Sequence, residues 1–185
     1  MEQKSLHGLA KGTQFETMSA MLAQGEAKGT MMYNALARLA REQGMPEVAE
    51  KFIEAAVQEA NHAGFFATLN GLYPKDFWAL VNGLQKAEAA GETAFKKLAE
   101  RFKAAGLDDA AKEIEIFAAQ EGHHGVLLQE ILDKYQKNID TTGKTVYVCG
   151  CCGYEYVGDI DAEGDDYVCP ICGMPRKVFR QKGDK

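Results

Sequence analysis

The chain has 185 residues, 46% of them apolar, enough for one substantial hydrophobic core and a small second module. Its formal net charge is −6 and no run of Lys or Arg could follow a phosphate backbone, which argues against a nucleic-acid partner. All five cysteines lie between Cys149 and Cys172, a clustering that suits metal ligands better than a disulfide framework.

In chain order, the start from Met1 to Gly8 lacks the apolar core of a secretory signal, and no apolar run reaches the length of a membrane span. A soluble, cytoplasmic protein without membrane contact is expected. From about Thr13 to Asn138 the sequence is rich in Ala, Glu, Leu and Lys and reads as four long helices in two hairpins. Gly44 and Gly106 are the expected C-terminal caps, and Pro46 stands where a following helix would begin. After Thr141 the composition turns to Val, Tyr, Gly, Asp and Cys, which predicts short strands and tight turns in a module too small to hold without a staple. The expected domains are 1–140, a helical bundle, and 144–185, a cysteine module.

Shifting the sequence by 62 residues lays Gly44 on Gly106 and superimposes the two hairpins. Glu26, Glu59 and His62 around the first glycine then match Glu88, Glu121 and His124 around the second. Steps of three and four residues place each of these on an apolar seam: Leu22, Glu26, Gly29, Tyr33, Leu36 and Ala40; Val48, Phe52, Ala55, Glu59, His62 and Phe66. The second pair of seams is Leu84, Glu88, Gly91, Phe95, Leu98 and Phe102; Ala110, Ile114, Phe117, Glu121, His124 and Leu128. One glutamate on an Ala-rich helix is ordinarily part of a solvated face. Four of them on seams expected to be buried would each cost several kcal/mol if left charged and unpaired. Two divalent irons supply the missing positive charge, with carboxylates bridging and one histidine capping each metal. A Glu from each of two helices and Glu-x-x-His from each of the other two is the ligand pattern of ferritin-like di-iron and di-manganese proteins.

Around this set several residues keep two readings. Glu92, one turn from Glu88, is a seventh ligand or nearby acid, or a surface residue. Tyr33 either hydrogen-bonds a ligand carboxylate or is a core tyrosine. His123 points away from the seam and is expected to be exposed. Gly25, Gly29 and Gly91 inside helices suggest close packing or room for a small oxidant. Ferritin-like bundles carry one long crossover, and Gly71 to Asp76 is either a turn or the start of one running past Phe77, Trp78 and Leu80. A helix unbroken from about Asp76 would instead let the hairpins pair between chains.

In the tail, Cys149-Gly150-Cys151-Cys152-Gly153 and Cys169-Pro170-Ile171-Cys172-Gly173 read as two knuckles, each glycine letting amides fold back toward the sulfurs. Cys149, Cys152, Cys169 and Cys172 suit a tetrahedral four-thiolate site for iron or zinc. Cys151 is expected to be a free thiol. A redox-active di-iron partner favours iron here, because zinc has no redox chemistry.

Taken together, the residues resemble the rubrerythrins over almost the whole chain. The resemblance rests on Gly25-Glu26 with Tyr33, on Gln58 to Ala63, on Ala89-Ala90-Gly91-Glu92, on Glu121 to His124 and on the paired knuckles. It implies a mainly α fold, a ferritin-like four-helix bundle followed by a rubredoxin-like iron domain. It also implies a homodimer, in which the tail docks on its own chain or head to tail on a partner. The implied activity is reduction of hydrogen peroxide to water as protection from oxidative stress, with electrons from rubredoxin or an NAD(P)H-dependent reductase. Glu26, Glu59, Glu88, Glu92, Glu121 and Tyr33 are the implied catalytic set. The chain departs from the family on its third helix, where Gly91 stands three residues after Glu88 and Phe95 occupies the place of a further carboxylate or tyrosine. The repeat favours Glu88 as ligand and the motif favours Glu92.

Overall fold

The structure, a computed structural model, describes residues 5–136 and 143–183 and forms two compact units, Met1–Lys75 and Asp76–Lys185. The start of the chain, Met1 to Lys4, and the expected domain boundary just before Gly143 lie outside the described residues. Among those described, no helix is long and apolar enough to cross a membrane.

In the first unit, helices α1 (Glu16–Glu42) and α2 (Pro46–Asn70) form a hairpin. Gly44 reverses the chain with φ of 73°, its N–H donating to Arg41 O while Met45 N–H reaches Ala40 O. Pro46 opens α2, where its missing N–H costs nothing. The contact stripe is built from small residues: Ala23, Ala37 and Ala40 on α1 against Ala49, Ala56 and Ala67 on α2. At its open end, Asn70 Nδ2 donates to Ser19 Oγ at 3.0 Å. Residues before α1 lie across the end of α2, with Gly8 N–H on Thr68 O and Ala10 N–H on Leu69 O.

The seams expected to be buried are instead largely half-exposed. Leu22, Val48, Leu84 and Phe117 are 36–40% exposed, whereas the neighbouring alanine stripe is closed. A two-helix hairpin covers one stripe only, and small side chains win that stripe because they let the helices approach closely.

In the second unit, Asp76 caps α3 (Phe77–Ala104) by accepting from Ala79 N–H at 3.0 Å, so Gly71 to Asp76 is a turn and Phe77, Trp78 and Leu80 already belong to the helix. Gly106 repeats the Gly44 reversal with φ of 78°, and α4 (Asp108–Tyr135) returns along α3. A methyl group built at Gly125 would lie 3.4 Å from Ala89 N, in ordinary contact with α3. Three short strands follow, β1 (Val146–Cys149), β2 (Glu155–Val157) and β3 (Phe179–Gln181), antiparallel in the order β2-β1-β3. Tyr147 pairs with Tyr156, and Cys149 with Phe179. The module's core of Cys149, Tyr154, Ile160, Cys169 and Phe179 includes Ala79 from α3.

Because Gly44 and Gly106 have positive φ and open space beyond them, any cost of a side chain there is conformational alone. Gly106→Ala is expected to destabilise the chain by about 1–2 kcal/mol, and Gly44→Ala by a similar amount, measured as lowered thermal unfolding midpoints.

Candidate metal centres

Each hairpin brings together one three-residue set. Glu26 from α1 meets Glu59 and His62 from α2, and Glu88 from α3 meets Glu121 and His124 from α4. In each set one donor atom per residue lies within 4.8 Å of the others. His62 Nδ1 is 3.6 Å from Glu26 Oε2 and 3.5 Å from Glu59 Oε2, and His124 Nδ1 is 3.3 Å from Glu88 Oε2. The spacing Glu-x-x-His explains the convergence, since residues three apart on a helix share a face.

The electrostatics match the geometry. The Glu26 carboxyl is held above its ordinary value first by a hydrogen bond to Glu59, then by burial and by repulsion from that same carboxylate, with His62 acting against the rise. Glu121 is raised in the same way by Glu88, by burial and by repulsion, with His124 opposing. Two carboxyls and an imidazole converging this closely form a donor set that suits divalent iron, and a cation there would offset the repulsion between the carboxylates.

Gly29 and Gly91 occupy equivalent places behind these carboxyls. A methyl group built at Gly29 would lie 3.4 Å from Glu59 Cγ, and one at Gly91 only 3.0 Å from Glu121 Oε2. Gly91 therefore makes room for the glutamate crossing from the facing helix, whereas a side chain at Gly29 would make ordinary contact with it. Gly25 has open space instead.

Other residues of the expected set sit apart from the two clusters. Glu92 turns toward Gly122 and is paired with Lys96, an i, i+4 contact already legible as Glu-x-x-x-Lys. Glu88, not Glu92, is the α3 residue brought to Glu121 and His124. Tyr33 stacks on Phe52 with ring centroids 6.2 Å apart. His123 is exposed.

A third cluster joins Cys149, Cys152, Cys169 and Cys172. Sulfur separations of 3.7 Å (Cys149 to Cys172) and 3.6 Å (Cys152 to Cys169) approach the edge of a tetrahedron with metal–sulfur bonds of about 2.3 Å, which is about 3.8 Å. The donor set thus fits one tetrahedral ion. Gly153 and Gly173, with φ of 77° and 70°, fold the amides inward. Burial pushes the Cys169 thiol up to about 11 against amide bonds from Cys172 and Ile171. For Cys172 burial also pushes up, but the Met174 amide and neighbouring thiols outweigh it and bring the group down to about 7. Cys151 is exposed and outside the cluster.

Residues 21–76 match the family model described as Rubrerythrin. Reverse rubrerythrin-1 of Clostridium acetobutylicum is 32% identical over 133 residues, 70% of this chain and 74% of its own. The chain belongs to the rubrerythrin family. An uncharacterised protein of Methanocaldococcus jannaschii is 35% identical over 130 residues, 70% of this chain and 92% of its own. A solved structure of nigerythrin in a mixed-valence state aligns over 97% of this chain and 94% of its own, at 21% identity and a TM-score of 0.33. The fold class of this rubrerythrin-family chain is mainly α, four helices of the ferritin-like kind followed by a small antiparallel sheet bearing a cysteine cluster.

Two tests address these clusters. Gly91→Ala should weaken ferrous binding more than Gly29→Ala in a chelator competition, because only the former must displace a ligand oxygen. Neither lowers the melting temperature of the metal-free chain, since alanine favours a helix over glycine by about 1 kcal/mol. The second concerns pH. A carboxyl whose folded pKa is raised contributes stability that is full below its unfolded pKa, about 4.3 for glutamate, and is lost as pH rises through the folded value. In the metal-free chain, Glu26→Gln and Glu121→Gln should therefore gain melting temperature relative to the parent as pH rises from about 4 to 7.

Proposed function

We propose that this chain is a non-haem di-iron peroxidase that reduces hydrogen peroxide to water in protection from oxidative stress. The observation that carries the reading is the presence, on one chain, of two matching carboxylate and imidazole sets and a tetrathiolate cluster. Glu26, Glu59 and His62 would hold one iron and Glu88, Glu121 and His124 the other, and the bound pair supplies the two electrons that peroxide takes. Cys149, Cys152, Cys169 and Cys172 would hold the single iron through which a reductase, or rubredoxin, returns them. Glu92, one turn from Glu88, would act as the nearby acid only once its ion pair with Lys96 opens.

Ferrous oxidation and iron storage, or dioxygen reduction, are rival chemistries on the same fold. The cysteine cluster favours the peroxidase over storage, since a dedicated electron-entry module serves no purpose when ferrous ion is itself the reductant. A non-enzymatic chain with a zinc ribbon tail would bind zinc in the cysteines and no iron.

The turn between α2 and α3 supports a homodimer. Gly71 to Asp76 can span at most about 20 Å, while α2 and α3, of 25 and 28 residues, are each about 40 Å long. A ferritin-like order with one long crossover is out of reach of that turn, whereas hairpins supplied by two copies satisfy it.

Anaerobic reconstitution should load about three irons per chain, and peroxide should oxidise the carboxylate-bound and cysteine-bound ions alike. Cys152→Ser should still react once after chemical reduction but lose at least tenfold of its reductase-driven turnover. Light scattering should give twice the 20.3 kDa chain mass. One zinc, no iron and no reaction with peroxide would end the proposal.

A further inference from the structure

The repeat carries each donor of the Glu26 set over to the Glu88 set, yet it changes residues beside them in a concerted way. On the 62-residue offset, Glu92, Lys96 and Gly122 of the second hairpin stand where the first has Thr30, Asn34 and Ala60. Glu92 reaches from α3 over Gly122 of α4, where a built methyl group would lie 2.8 Å from Glu92 Oε2 and 2.9 Å from its Cδ. An alanine at that position, the residue the first hairpin carries, would push this carboxyl aside. Lys96, one turn further along α3, pairs with Glu92 and is the more exposed of the two. At the matching places the first hairpin has neutral side chains turned onto their own helix. Thr30 Oγ1 donates to Glu26 O at 3.1 Å, and Asn34 Nδ2 donates to Thr30 O at 2.9 Å.

These substitutions change the field at one set and not at the other. Along the axis of α3, Glu92 is rooted about 6 Å from Glu88 and Lys96 about 12 Å from it. Coulomb attraction falls with distance, so for a cation in the Glu88 set the nearer carboxylate outweighs the farther ammonium. Both side chains are partly exposed, and solvent holds the difference to a modest factor.

We infer that Glu92, Lys96 and Gly122 make the Glu88 set the stronger of the two, so that it takes a first divalent cation and the Glu26 set takes the second. Gly122 acts by leaving Glu92 its place, Glu92 by its charge, and Lys96 by tempering that charge. This order of filling rests on the metal-binding part of the reading above and not on its peroxide chemistry.

Manganous ion is a suitable probe, because thiolates bind this hard cation poorly and its spin-resonance signal reports the free ion. Titrated at low salt, the metal-free full-length chain should take up two ions with dissociation constants about threefold or more apart. Glu26→Gln with Glu59→Gln should leave the tighter site, and Glu88→Gln with Glu121→Gln the weaker. In the first of these backgrounds, Glu92→Gln and Gly122→Ala should each weaken binding about threefold, and Lys96→Met should strengthen it by a similar factor. Raised salt should shrink all three effects. Thr30→Glu with Ala60→Gly, made in the parent, should bring its weaker constant to within about twofold of the tighter. That grafted pair decides the matter if a change in the second hairpin costs the chain its helical circular-dichroism signal. Equal constants in the parent, a tighter Glu26 set, or binding indifferent to Glu92→Gln and Gly122→Ala overturns the order of filling and leaves the metal-binding reading in place. No uptake of manganous ion by the parent ends both.

Discussion

Holding two carboxyl groups against each other between packed helices is unfavourable unless a proton or a cation lies between them. This chain builds that situation twice, at Glu26 with Glu59 and at Glu88 with Glu121, and sets an imidazole beside each pair. The rest of the helical sequence serves to hold it. Alanine stripes bring the helices of each hairpin close, and Gly91 clears the space into which the facing Glu121 carboxyl reaches. With bulkier residues on the stripe the helices would stand further apart, and the paired carboxyls would no longer meet.

The cysteine cluster answers the same need with different atoms. Buried thiols resist ionisation, as Cys169 shows, while amides turned inward at the two knuckles favour the thiolate, as Cys172 shows. Four sulfurs so placed gain most when a single ion takes the charge of all of them. The small sheet and the aromatic core around Tyr154, Tyr167 and Phe179 are too slight to hold this geometry alone, and the contact with Ala79 enlarges the core that surrounds it.

Much of this was legible in the residues themselves. The 62-residue repeat located both caps and both donor sets, because an equal offset across a hairpin is a strong constraint that chance seldom meets. The knuckles were plain from the two Cys-x-x-Cys pairs and their glycines. The closure of the alanine stripe within each hairpin was not, since periodicity reports which residues share a face but not which of two adjacent stripes meets the other helix of the same hairpin. Alanine carries little hydrophobic signal, so the stripe containing Ala37 and Ala49 was hidden behind larger neighbours. Glu88 and Glu92 stood equal in the sequence because they are one turn apart. Lys96 and the facing Glu121 separate them in space. Gly83 gave no signal beyond an unexplained glycine, for Tyr154, which a methyl group there would overlap, lies far along the chain.

The repeat is faithful in its donors and not in what surrounds them. Where the second hairpin has Glu92 bound to Lys96, the first has Thr30 and Asn34, whose side chains turn back onto Glu26 O and Thr30 O of their own helix. Twin ions in these two settings would feel different fields. The two sets would therefore bind the same cation with unequal affinity.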